Sequence, residues 1–144
     1  MKLLQASATF LATTLLAVSA EAPPPKVTYL EAATVTAAFQ KGGVLFKGDT
    51  YQVNTSRREA PGGAEIHAKY ADIVYVLQGT ATFVTGGKAV GAKTIAPDET
   101  VGSEIAGGDS HKLNKGDVII VPAGTPHWFK EVTNPFLYLV VKAH

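Results

Sequence analysis

Between residues 44 and 141 the chain breaks into short β-rich runs, each closed by glycine or proline, and this punctuation constrains the fold more than any other feature. The runs at 44–46, 50–55, 73–77, 80–85, 118–121, 128–132 and 136–141 are dense in β-branched, aromatic and aliphatic side chains. Such residues suit a pleated, half-buried surface, and turn signals this frequent leave no room for long helices. Ala60-Pro61-Gly62-Gly63, Lys115-Gly116-Asp117, residues 122–126 and Asn134-Pro135 read as turns. Short strands at this spacing predict an all-β sandwich or barrel. The one helical signal is the Ala-rich stretch 30–40, long enough for a turn or two before Gly42-Gly43 ends it.

The N-terminus belongs to a different class of segment. Lys2 precedes an apolar stretch over residues 3–18, and Val18-Ser19-Ala20 places small residues at the −3 and −1 positions of a cut after Ala20. This is the layout of a secretory signal peptide, with Ala22 a second cleavage point. The stretch is short for a membrane span and is interrupted by Gln5, Ser7 and several threonines. The expected organisation is therefore a signal peptide at 1–20, a lead-in at 21–43 opened by the extended Pro23-Pro24-Pro25, and one barrel domain at 44–144. The expected location is secreted or periplasmic. With 46% apolar and 17% charged residues the chain supports a real core. It has no cysteine, hence no disulfide, no thiol nucleophile and no lipid-anchoring cysteine. The whole chain carries a formal charge of +1, and removing residues 1–20 takes away only Lys2, leaving 12 basic against 12 acidic residues. Neither nucleic acid nor an anionic membrane surface is expected as a partner.

The chemistry-bearing residues fall in two stretches. Residues 62–79 read GGAEIHAKYADIVYVLQG and carry His67, Lys69 and Asp72; residues 116–127 read GDVIIVPAGTPH and end at His127. Together they resemble the two motifs of the cupin superfamily, a small jelly-roll β-barrel. The first motif runs glycine, His-x-His, an acidic residue, and a glycine seven positions later. His67 fits its first histidine, Lys69 falls where the second belongs, and Asp72 stands seven before Gly79. The second motif runs glycine, five residues, Pro-x-Gly, two residues, histidine; Gly116, Pro122, Gly124 and His127 meet every anchor. The resemblance covers residues 50–141. It implies a jelly-roll barrel behind a short N-terminal extension, with a divalent transition metal (Mn, Fe, Ni, Cu or Zn) in its mouth held by His67, Asp72 and His127. Imidazole and carboxylate suit those ions on chemical grounds as well.

Lys69 is the departure. An ammonium has three donors and no lone pair, so it repels a metal ion and cannot ligate it. Strand parity puts Lys69 on the face of His67, while Asp72 is out of step and needs a turn or bulge to aim it inward. Lys69 can instead pair with Asp72 and hold an anionic ligand as a fixed cation. Tyr70, between the metal candidates, reaches a ligand from the rim; Phe129, two beyond His127, gives the pocket an apolar wall. His111, two before the core-facing Leu113, enters the pocket if its strand has begun by then. Trp128 points away from His127 and packs. His144 is terminal and expected to fray. Residues 86–108 form an insertion that serves as a lid, a dimer contact or a hairpin. Three readings of function stay open: a metal-dependent enzyme of dioxygenase, isomerase or lyase type acting on a small molecule, a metal-free anion-binding module using Lys69, and a structural barrel. A homodimer paired through sheet edges is implied by the resemblance. No Gly-x-Ser-x-Gly elbow or phosphate-binding glycine loop is present.

Overall fold

The structure, a computed structural model, describes residues 26–144. The signal-peptide reading of residues 1–20 lies outside the described residues. Helix α1 (Ala32–Ala38) buries no side chain and stops where Gly42 takes a φ of 73° and returns its N–H to the Ala38 carbonyl at 2.9 Å. A glycine in that left-handed conformation is the usual way a helix closes. Strands follow: β1 (Gly43–Lys47), β2 (Tyr51–Arg58), β3 (Ala64–His67), β4 (Ala71–Gln78), β5 (Ala81–Thr85), β6 (Lys88–Ala89), β7 (Lys93–Ala96), β8 (Glu99–Gly102), β9 (Ile105–Ala106), β10 (Asp109–Leu113), β11 (Val118–Val121), β12 (His127–Val132) and β13 (Phe136–Ala143).

These strands build two facing antiparallel sheets, β1-β2-β13-β4-β11 and β10-β5-β12-β3-β8-β7, with β6 and β9 paired separately. The fold is all-β, as the punctuation predicts, and it is the expected jelly roll. Alternation decides which side chains fill it. On β4, Asp72, Val74 and Val76 are buried; on β13, Phe136, Tyr138 and Val140 are; on β12, His127 and Phe129 are. Phe83, Phe129, Phe136 and Tyr138 interlock with ring centroids 4.5–5.6 Å apart. Each fully buried aromatic of this kind contributes about 2–3 kcal/mol by removal from water. The closed end of the barrel is therefore apolar and rigid, and the polar side chains are left to the open end.

One feature departs from the sequence reading. The stretch from Gly62 does not form one continuous segment: β3 ends at His67 in the second sheet and β4 begins at Ala71 in the first. Residues 68–70 carry the chain from one sheet to the other. The insertion at 86–108 contains a hairpin, one of the three forms expected for it. Its β7–β8 hairpin extends the second sheet beyond β3, and β6 and β9 lay Ala89 and Ile105 over Ala64, Val84, Ile66 and Trp128. Trp128 thus packs outside the barrel, as its parity requires, and donates Nε1–H to the Gly62 carbonyl at 2.7 Å.

Candidate metal centre

Four side chains converge below the barrel mouth. Glu65 and His67 lie two apart on β3 and so share its inner face. His127 opens β12, which pairs with β3 through His127 and Glu65. Asp72 comes from β4 in the opposite sheet. Its Oδ2 lies 3.4 Å from the Nε2 of both His67 and His127, and Glu65 Oε2 lies 3.6 Å from His67 Nε2. One donor atom each from Glu65, His67 and His127 lie within 4.8 Å of one another. Main-chain bonds hold the frame: Gly124 N–H donates to the His67 carbonyl at 2.8 Å, tying the turn before β12 to the end of β3.

The electrostatics follow from burial and neighbours. His127, 5% exposed, places Nδ1 3.0 Å from the Thr125 carbonyl. Burial lowers its pKa against the opposing pull of Thr125 and Asp72. The neutral ring therefore donates from Nδ1 and turns the Nε2 lone pair toward the other donors, the arrangement a ligating histidine needs. Burial raises the pKa of Glu65, but the His67 ring and the Arg58 guanidinium more than offset it and hold the carboxyl at about 2. Arg58 reaches Glu65 Oε1 at 3.2 Å, donates to the Tyr138 hydroxyl at 3.1 Å and covers the Phe129 ring at 4.5 Å. Asp72 Oδ1 is buried without a hydrogen-bond partner. A buried carboxylate oxygen of this kind is costly unless a cation faces it, and the Lys142 ammonium does so from 3.5 Å. With two imidazoles and two carboxylates, the set fits a divalent first-row ion and lacks the sulfur that would favour a soft one.

The sequence-derived site residues are not all here. His67, Asp72 and His127 meet. Tyr70 and Phe129 line the cavity of about 600 Å³ above them, Tyr70 at the rim and Phe129 toward the aromatic floor. Lys69 does not. Because β3 stops at His67, parity no longer applies, and Lys69 turns outward with 67% of its side chain exposed and Nζ 3.1 Å from Asp98. The expected Lys69–Asp72 pair is replaced by Lys142, whose Nζ is 3.5 Å from Asp72 Oδ1 and 2.9 Å from His67 Nε2. His111 lies on β10, where its Nε2 meets Thr85 Oγ1 at 3.0 Å, and it does not line the cavity. His144 is not frayed: its ring packs at a tilt against Tyr70, centroids 4.1 Å apart, and its N–H donates to the Thr50 carbonyl.

Sequence reasoning missed Glu65 and Lys142. Glu65 carried a usable signal. Read one step earlier, Glu65-x-His67 is the pair of inward donors two apart, and Asp72 still stands seven before Gly79. Lys142 follows Tyr138 and Val140 at inward parity on the last strand, a charge on an otherwise buried row. The wall opposite the histidines is also polar, with Gln52, Asn54 and Ser56 alternating inward along β2.

The comparisons with known proteins agree on the fold. A cupin family model matches residues 20–144. No curated protein matches the chain. Among solved structures, a Neisseria meningitidis protein superposes with a TM-score of 0.56 at 12% identity, covering 81% of this chain and 100% of its own. A cupin superfamily protein of Desulfitobacterium hafniense gives 0.51 at 16% identity, covering 72% of this chain and 75% of its own. The DMSP lyase of Ruegeria pomeroyi gives 0.52 at 19% identity, covering 83% of this chain and 55% of its own. At such identities the likeness concerns fold alone. With the family model matching residues 20–144 and so spanning the entire barrel, the chain belongs to the cupin family.

Proposed function

We propose that the protein is an exported cupin that holds one divalent transition-metal ion between Glu65, His67, Asp72 and His127 and binds a small molecule above it. The observation that carries this reading is the convergence of donor atoms from Glu65, His67 and His127 within 4.8 Å of one another. When bound, Mn, Fe, Ni, Cu or Zn would supply a Lewis acid that polarises a ligand oxygen. An isomerase or lyase would use the site in this way, whereas a dioxygenase would need one of the redox-active ions among these five. The chain's own residues bind and orient. Phe129 gives the ligand an apolar floor, Gln52 and Asn54 offer amides on the wall, and the Tyr70 phenol stands at the entrance.

Elemental analysis tests the reading. After reconstitution with each of the five metals in turn, about one ion per chain is expected for at least one metal, and loss of that ion in His127→Ala. Metal content near zero for all five refutes it. Export is tested by fractionation and N-terminal sequencing, with a mature start after Ala20 or Ala22 expected. A homodimer is proposed through the outer face of the first sheet, supported by the exposure of Tyr75, Val118 and Ile120 along β4 and the edge strand β11. Light scattering on Ile120→Lys should then give the mass of a monomer, and a monomeric parent protein rules the dimer out.

A further inference from the structure

We propose that Lys142 is a built-in occupant of the metal centre, which an incoming ion must displace, and that it sets how tightly the site holds metal. The inference rests on the metal-site reading above. The site already contains two cations for its two carboxylates. Arg58 faces Glu65, and Lys142, paired in register with Asp72 across β13 and β4, faces Asp72. The two cations bear on metal uptake differently.

Arg58 is compatible with an ion. Its guanidinium contacts Glu65 Oε1, while Oε2 faces His67. The Tyr138 hydroxyl and the Phe129 ring hold it in place. One Glu65 oxygen is therefore left for the centre. Lys142 is not compatible. Its ammonium has no lone pair, so at 2.9 Å it donates to His67 Nε2 and uses the pair of electrons a metal requires. This contact is shorter than either carboxylate's distance to the same nitrogen, 3.4 Å for Asp72 and 3.6 Å for Glu65. His67 cannot serve both cations at once. The flexible four-carbon stem of Lys142 allows it to leave, and its side chain is 24% exposed at the cavity, against 7% for His67 and Asp72.

Metal affinity is the readout, measured by competition with a chromogenic chelator at fixed pH and salt on the whole mature protein. Losing a charge-assisted hydrogen bond from the competing state should tighten binding in Lys142→Met by about ten- to a hundredfold. Lys142→Gln, which keeps a polar group of similar reach, answers the same question if the methionine variant fails to fold. Lys130→Met removes the same charge from the exposed outer face of β12, beside Trp128, and should leave affinity unchanged. Equal affinity in the parent and both Lys142 variants, with binding still lost in His127→Ala, overturns the role of Lys142 and leaves the metal centre standing. No binding in any variant, or binding that survives His127→Ala, overturns the metal centre and this inference with it.

Discussion

The charge on Glu65 should make the metal-free protein acid-sensitive in a way one isosteric substitution removes. Glu65 titrates at about 2 in the folded chain against an ordinary 4.5. A depressed carboxylate stabilises the fold above its unfolded pKa, and that contribution fades as pH falls from about 4.5 toward 2. At about 1.4 kcal/mol per pKa unit, the interval sets a ceiling of about 3 kcal/mol. The Glu65 side chain is 32% exposed, so solvent screening brings the expected figure to about 2 kcal/mol. Glu65→Gln keeps the shape and removes the charge that Arg58 and His67 favour. Urea denaturation of chelator-treated parent and variant at pH 7 should therefore differ by about 2 kcal/mol. The gap should close steadily below pH 4.5. A gap that stays constant down to pH 2.5, or no gap at pH 7, would refute the reasoning. Either result would mean that Arg58 and His67 do not stabilise this carboxylate.

Other outcomes follow from packing and backbone geometry. Phe83 is fully buried between Phe129 and the His127 ring, so Phe83→Ala should cost about 3–5 kcal/mol in urea denaturation and weaken metal retention by loosening the floor. Gly79 has a φ of 83°, and a Cβ there would collide with Thr133 Oγ1 and the Pro135 carbonyl, so Gly79→Ala should cost more than about 1 kcal/mol by the same assay. Trp128→Phe leaves the Gly62 carbonyl without its indole donor and should cost about 1 kcal/mol.

The legible part of this protein was whatever is encoded locally. Strands such as β11 at Val118–Val121 stood out because glycine and proline bracket them, and Pro122, Gly124 and His127 sit at fixed offsets within one turn and strand. The parity count from His67 to Lys69 failed because it assumed an unbroken strand. The chain changes sheets at 68–70, so the inward partner of His67 is Glu65, on the near side of the break. Nor could any local pattern pair Lys142 with His67, which lies 75 positions earlier; that contact exists only once β13 lies beside β4. The rim contact of Lys69 was hidden for the same reason, since Asp98 reaches it from the β7–β8 hairpin within the insertion.

The crossing at residues 68–70 also makes the site a mechanical element. Glu65, His67 and His127 belong to one sheet, Asp72 and Lys142 to the other. Whatever cation sits among them is a rivet through both walls of the barrel. Exchanging an ammonium, which grips by hydrogen bonds, for an ion gripped by four ligands would stiffen the mouth while leaving the aromatic floor as it was. Amide exchange should register that difference at the ends of β3 and β4 and not along β1, so the barrel can report its own loading without any change of fold.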